Sequence, residues 1–186
     1  MVPLSALWLP VLVSAVLVFV ASSVIHMALG YHNGDYGPLP REDDIITALR
    51  PMHIPPGDYF LPYAGGMAAM KDPVFQDKWN KGPVATLTVM TPGGNFMGAQ
   101  LAQWVVYAAT IAFFSGYVAS RTLPVGANYL LVFRVVGATA FMGYALGLWQ
   151  MVIWYKRSLS TTLKSTFDGL LYACLTAGAF GWLWPN

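Results

Sequence analysis

The chain has 186 residues, of which 56% are apolar and only 10% charged, and its net charge at pH 7 is +2. Soluble domains carry about 25% charged residues, so this composition is typical of a protein embedded in a membrane. The small net charge, with no run of Lys and Arg, excludes nucleic acid as a partner. A single cysteine, Cys174, excludes a disulfide framework and a Cys-x-x-Cys site within one chain.

Four apolar stretches predict transmembrane helices, because a spanning helix needs about 20 mostly apolar residues. The first stretch has no basic segment before it and is longer than the apolar part of a signal peptide, so we interpret it as a retained span. The predicted fold is an integral membrane, mainly α protein with a small extramembrane α+β lobe between helices 1 and 2. The spans cover residues 1–30, 97–120, 129–155 and 167–184, the last three forming a three-helix region over 97–186.

The segment 31–96 holds most of the acidic residues and prolines and is the predicted lobe. Proline and charge positions indicate short helices at about 41–50 and 73–80, the second opened by Asp72 as N-cap and Pro73 at the first helical position. Alternating apolar residues indicate strands at about 58–63 and 84–90, with one face available for burial. Because such a lobe is marginally stable alone, we expect it to pack on the membrane bundle or on a partner.

Small residues spaced four apart recur in the last three spans, where they let helix backbones approach closely. The pattern predicts a tightly packed bundle or contacts with other subunits. The predicted helix-packing residues are Ala108, Ala112, Gly116, Gly143, Gly147, Gly169, Ala173, Ala177 and Gly181.

Polar residues inside spans are costly to bury and are candidates for function. Here they fall near the lobe end of each predicted span, and for Asp168 a structural alternative is a favourable interaction with the helix dipole. This candidate polar layer comprises His26, Gln100, Gln103, Gln150 and Asp168.

A metal site is a further hypothesis for the region around His26. Together with His32 and Asp35, or with His53 from the lobe, it offers imidazole and carboxylate ligands, although the spacing fits no standard signature. The alternative is that His26 only packs or hydrogen-bonds. No motif in the sequence predicts a cofactor. The alternative is that His26 binds a metal ion or a pigment.

One arginine and several tryptophans near the ends of the predicted spans are of the types that contact the membrane interface. Arg134 enters from the side opposite the polar layer, where it would reach lipid phosphate. The aromatic residues predicted at the interface are Trp8, Trp154, Trp182 and Trp184.

Basic residues in the short loops predict the orientation. Lys156, Arg157 and Lys164 follow the third span, whereas the loop after the second span carries only Arg121. This asymmetry places the 31–96 lobe in the cytoplasm and both termini outside.

Three lobe segments carry a family resemblance: Glu42-Asp43-Asp44-Ile-Ile-Thr-Ala-Leu-Arg50, Pro55-Pro56-Gly57-Asp58-Tyr59 and Lys81-Gly82-Pro83-Val84. The chain resembles a family of uncharacterised bacterial membrane proteins with one span before the lobe and three after it. The resemblance implies a bacterial inner-membrane location. It implies no activity, because the family has none established.

The functional prediction is a non-catalytic accessory or scaffolding subunit that packs against other membrane proteins or forms a homo-oligomer in the lipid bilayer. An enzyme is less favoured, because the chain contains no GxxxxGK[ST], HExxH, GxSxG or CxxCH motif. The alternative is a small transporter or a metal- or cofactor-binding membrane protein that uses the polar layer.

Overall fold

The computed structural model describes residues 1–93 and 97–186. Within these residues one compact unit comprises 1–37 and 97–186, and a second comprises 38–93. The predicted end of the lobe, residues 94–96, lies outside the described residues. In chain order the elements are α1 (Trp8–Met27), α2 (Glu42–Leu49), β1 (Gly57–Leu61), α3 (Pro73–Lys81), β2 (Ala85–Val89), α4 (Met97–Thr122), α5 (Tyr129–Tyr144), α6 (Trp149–Tyr155) and α7 (Leu159–Trp182).

Three helical segments are long and apolar enough to cross a membrane, as expected of an integral membrane protein. They are Leu4–Met27, Met97–Thr122 and Tyr129–Tyr155. The stretch predicted as a fourth span lies in α7, which is not among them although it has 24 residues. The reason is its polar first half, which carries Ser, Thr and Lys residues as well as Asp168.

The third predicted span is not one uninterrupted α-helix. Helix α5 ends at Tyr144, a 3-10 turn covers Leu146–Leu148, and α6 continues to Tyr155. Helices α5 and α7 each begin with a capped turn: Asn128 accepts from the backbone N–H of Leu131, and Ser158 caps α7 in the same way.

The long helices of the first unit form a bundle. Helix α1 packs on α4 and α7, and α5 packs on α4 and α7. Its core has two buried clusters, one around Phe180 and Val132 and one around Ala108 and Tyr144. The bundle therefore buries side chains along its whole length.

Small residues permit this packing at most of the predicted positions. A Cβ placed on Gly116 would lie 2.7 Å from the buried Phe180 ring, and one on Gly181 would lie 2.7 Å from the Tyr129 ring. A Cβ on Gly143 would lie 3.3 Å from Ile111, whereas nothing lies within 4 Å at Gly147. The remaining predicted packing residues, all buried, are Ala108, Ala112, Gly169, Ala173 and Ala177.

One predicted interface aromatic has a different position in the structure. Trp184 is only 6% exposed, and its indole N–H donates to the Pro124 carbonyl at 3.0 Å. The indole therefore closes the end of the core instead of facing lipid, which corrects the prediction. Trp8, Trp154 and Trp182 are exposed, and so is Arg134 on α5.

The second unit is built around one antiparallel strand pair, in which Gly57 faces Val89 and Leu61 faces Ala85. Its helix α3 begins as the sequence indicates, since the Asp72 carboxylate accepts from the Val74 backbone N–H at 2.7 Å. No described residue of 38–93 is buried. The predicted burial of one face of β2 is therefore not seen.

We predict that Gly116→Ala lowers the stability of the bundle. The new methyl group overlaps the fully buried Phe180 ring, and overpacking of this kind costs about 1–3 kcal/mol, more than the gain in helix propensity. The matched control is Gly147→Ala, where space is open. Thermal unfolding in one detergent should show a lower midpoint for the Gly116 variant only; equal midpoints would contradict the close approach.

Candidate functional site

The turn that follows α1 folds back on the end of that helix. Gly30 has a positive φ of 65°, which glycine adopts without strain. The Asn33 N–H then donates to the Gly30 carbonyl, and the Asp35 N–H donates to the His32 carbonyl. These two turns place Tyr31 and His32 beside α7.

His32 lies between two carboxylates. Its Nδ1 is 2.6 Å from Asp35 Oδ2, and its Nε2 is 2.7 Å from Asp168 Oδ2. Each ring nitrogen of His32 therefore has a carboxylate oxygen as its hydrogen-bond partner. His32 thus joins the turn to α7.

Asp168 is 3% exposed and has a second partner for its other oxygen. The Tyr31 hydroxyl donates to Asp168 Oδ1. One turn earlier on α7, Lys164 donates to Asp35 Oδ1 at 2.8 Å and to the Tyr31 carbonyl at 2.7 Å. Tyr31, His32 and Lys164 therefore supply polar partners to both carboxylates.

His26, in the last turn of α1, completes the cluster. Its ring stacks on that of His32, with centroids 4.6 Å apart and planes at 4°. Its Nδ1 lies 2.9 Å from the Ser22 carbonyl oxygen, an acceptor, so Nδ1 carries a proton and donates. Nε2 is then the ring atom of His26 that could bind an ion.

The Asp35 carboxylate is strongly favoured in its ionised form. Hydrogen bonds from His32 and then Lys164, with their charges, outweigh partial burial and lower the pKa of Asp35 from 3.8 to about 2. Asp35 is therefore a fixed negative charge behind His32.

The arrangement can hold a metal ion. One ligand atom from each of His26, His32 and Asp168 lies within 4.8 Å of the others. Donors about 2.0–2.2 Å from a tetrahedral Zn²⁺ lie about 3.4 Å apart. Binding would therefore draw the ligand atoms together by up to about 1.4 Å and rotate the parallel rings of His26 and His32 toward the ion. Three chain segments, α1, the following turn and α7, supply the three ligands.

A cavity of about 250 Å³ adjoins these ligands, with His26 and Asp168 in its wall. Aromatic rings form much of the rest. The residues that line it on the aromatic side are Trp104, Tyr107, Tyr144 and Tyr172.

The structure brings together only part of the predicted polar layer. His26 and Asp168 meet, whereas Gln100, Gln103 and Gln150 are exposed and lie outside the cluster. Of the weak metal candidates, His32 joins them directly. Asp35 bonds to His32 from the side away from Asp168, and His53 belongs to the other compact unit.

Sequence reasoning missed Tyr31 and Lys164 as parts of the cluster, and Tyr172 as part of the adjoining cavity. Tyr31 was adjacent to the candidate His32, and Lys164 was one helical turn before Asp168, so local spacing carried a signal for both. Nothing in the pattern pointed to Tyr172, which is one turn after Asp168 in an otherwise apolar stretch.

Comparison of the chain with protein-family models, with curated proteins and with solved structures finds no match. The resemblance to uncharacterised bacterial membrane proteins therefore stays a prediction, and the function is argued from geometry.

We predict that Asp35→Asn destabilises the protein at neutral pH, because His32 and Lys164 lose a charged acceptor, by about 1–3 kcal/mol. The pKa of Asp35 is lower in the folded protein than in the unfolded chain. The stability that its carboxylate gives to the fold is therefore fully present above pH 3.8 and is lost as the pH falls toward about 2. Unfolding midpoints of the two proteins should thus differ at pH 7 and converge in acid.

The control for this experiment is Asp77→Asn, which breaks an exposed ion pair with Lys81. Exposed pairs contribute about 0–1 kcal/mol, so this variant should unfold close to the parent at every pH. An Asp35 variant that behaves like the Asp77 control at pH 7 would refute the role of Asp35 in holding the turn.

Proposed function

We propose that this chain is a membrane protein that binds a divalent transition-metal ion at one end of its helical bundle. The ligands are Nε2 of His26, Nε2 of His32 and the carboxylate of Asp168. The observation that carries the proposal is that one ligand atom from each of these three residues, which come from three separate segments, lies within 4.8 Å of the others.

The hydrogen bonds behind the ligands support a metal role. Metal-bound histidines almost always donate their other ring N–H to a carboxylate or a backbone carbonyl, which fixes the tautomer and the ring orientation. Here the Nδ1 of His32 faces Asp35, and the Nδ1 of His26 faces the Ser22 carbonyl. The Nε2 of His26 would bind the ion, and the Nε2 of His32 would bind it in exchange for its present bond to Asp168.

The charges of the site also suit a cation. A bound ion would replace the proton between His32 and Asp168, because a metal ligand must be deprotonated. The two carboxylates would then face a divalent ion and Lys164, which is bonded to Asp35. The ion and Lys164 would bring three positive charges to two carboxylates, so the occupied site would carry one net positive charge.

The ligand set indicates the kind of ion and of site. Two imidazoles and one carboxylate suit Zn²⁺ or Fe²⁺, and three protein ligands leave coordination positions open, unlike a closed structural site with four. Open positions allow an ion to be received and passed on, or to hold a further ligand. A metal-binding membrane protein is therefore preferred here to a purely scaffolding one.

In this proposal α7 forms the fourth membrane span, with its polar first half at the level of the cation site. The bacterial inner-membrane location, the cytoplasmic 31–96 lobe and the outward termini remain predictions from the sequence. A reporter active only in the periplasm, fused after Asn186, would report the orientation.

We predict that the full-length protein, stripped with a chelator in detergent, binds one Zn²⁺ or Co²⁺ per chain. His26→Ala, His32→Ala and Asp168→Ala each remove a ligand and should weaken binding most. Asp35→Asn, which disturbs the support of His32, should weaken it about 10- to 100-fold. Metal analysis and the visible spectrum of bound Co²⁺ provide the measurement.

The matched control for the metal experiment is His53→Ala, which removes a histidine of the other unit and should leave affinity unchanged. The cation proposal is wrong if the parent protein binds no ion, or if all four alanine variants bind it equally. In that case the cluster serves only to hold the turn after α1 on α7.

A second candidate function is the accessory or scaffolding role predicted from the sequence. The observation that favours it is the lobe, whose described residues 38–93 include none that is buried. Apolar side chains such as Tyr63, Met67 and Met90 are about four-fifths exposed, and soluble surfaces rarely present many together without a partner. The lobe would then dock on another membrane protein or on a second copy.

For this second role we predict a specific neighbour of the lobe. A photo-crosslinking residue at Tyr63 should capture one defined protein in the native membrane, which should also co-purify in mild detergent. The same residue at Val106, exposed on α4, should capture lipid or nothing. No protein adduct at Tyr63, with a monomeric mass in mild detergent, would exclude the scaffolding role.

A further inference from the structure

We infer that the aromatic cavity beside the proposed cation site binds the planar, oxygen-bearing ring of a lipid-soluble quinone or phenol, with Tyr172 donating a hydrogen bond to a ring oxygen. The inference rests on the proposed function, because His26 and Asp168 form one wall of this cavity. It adds the chemical class of the molecule that the site would meet.

The first reason is the hydroxyl group of Tyr172. Tyr172 is buried, lines the cavity, and its hydroxyl has no hydrogen-bond partner among the described residues. Buried tyrosine hydroxyls usually find a partner, and one without is costly. The hydroxyl oxygen has almost no accessible surface, so a ligand oxygen in the cavity would supply the missing acceptor after a small rotation of the Tyr172 ring toward it.

The other polar atoms of the aromatic wall are already used. The Trp104 indole N–H donates to Ser22 Oγ at 2.8 Å, and the Tyr107 hydroxyl donates to the Gly143 carbonyl at 2.9 Å. The Tyr144 hydroxyl points to the Ala108 carbonyl at 3.5 Å. Of these four aromatic side chains, Tyr172 alone has a donor left for a ligand.

The second reason is the shape and chemistry of the wall. Tyr172 meets Trp104 and Tyr144 edge to face, with ring centroids 5.9 and 5.6 Å apart. Such rings favour another aromatic or quinoid ring in an offset or edge-to-face position. A volume of about 250 Å³ lies below the range of about 300–1,000 Å³ for drug-sized ligands, so it suits a single ring.

The third reason is an apolar groove next to the cavity, of about 460 Å³, which shares His26 and Trp104 with it. Its other lining residues include Met27, Met97 and Leu101. The groove lies between α1 and α4, both apolar enough to cross a membrane.

The polar side chains of this groove are bonded within the protein, which makes it suitable for an apolar tail. The hydroxyls of Ser22 and Ser23 both donate to the Phe19 carbonyl. An oxygen-bearing head in the cavity and an apolar tail in the groove together describe a lipid-soluble ring compound.

The test uses the full-length, cation-loaded protein and a decyl-substituted 1,4-benzoquinone as probe, with affinity measured by calorimetry in detergent. Tyr172→Phe should weaken probe binding about tenfold, the loss expected for one hydrogen bond, and leave cation binding unchanged. Leu148→Trp, which fills the cavity from its wall, should abolish probe binding. Tyr117→Phe, at an exposed tyrosine of α4, should change neither affinity.

Two further probes test the chemistry of the head group. Decylbenzene lacks the oxygens, so it should bind more weakly than the quinone and equally to the parent and to the Tyr172 variant. Decanol tests a simple acyl-chain site. If decanol binds as tightly as the quinone, or if Tyr172→Phe and Leu148→Trp both bind the quinone like the parent, the inference is wrong.

The two proposals fail in different ways. Absence of cation binding overturns the proposed function, whereas cation binding without quinone binding overturns only this inference. Repeating the quinone titration on chelator-treated protein separates the two, because the Tyr172 hydrogen bond does not require the ion.

Discussion

The buried carboxylate of Asp168 is the constraint on which the end of the bundle depends. An ion removed from water costs several kcal/mol unless charged and hydrogen-bonding partners surround it. The partners here are the Tyr31 hydroxyl and the His32 imidazole, which reach Asp168 only when the turn after α1 folds onto α7. Lys164 fixes the same turn through Asp35. Burial of Asp168 therefore favours the one conformation of the turn that supplies these partners. In that conformation His32 stacks on His26.

Close helix packing is the second requirement, and it involves Gly169, the residue that follows Asp168. A Cβ on Gly169 would lie 3.0 Å from the Ala145 Cβ, so α7 approaches the end of α5 at the depth of the site. That approach sets Tyr144 and Tyr172 edge to face beside Asp168. Gly169 therefore serves both features, because it permits the close approach of α7 to the end of α5 and also lines the aromatic cavity.

The sequence predicted what depends on local composition. Apolar length identified three of the four predicted spans as helices long and apolar enough to cross a membrane, and isolated polar residues drew attention to His26 and Asp168. It could not predict which helix face each polar residue occupies, so Gln103 was grouped with them although it is exposed. The Asp168–His32 contact spans 136 residues and depends on two tight turns, which periodicity does not encode. Trp184 is a second example, because its position near the end of a predicted span does not reveal that its side chain is buried.

The polar first half of α7 explains why hydropathy sets that helix apart from the other long ones. Lys164 and Asp168 are needed there because the turn after α1 offers His32, Tyr31 and Asp35 as partners. A more apolar helix would cross a membrane more readily, but it would leave those partners unpaired. The polar half of α7 thus lies where the hydrogen-bonded cluster around Asp168 adjoins the aromatic cavity. In the two proposals, a cation and a membrane-soluble ring would meet at Asp168 and His26, because both residues belong to the cluster and line the cavity.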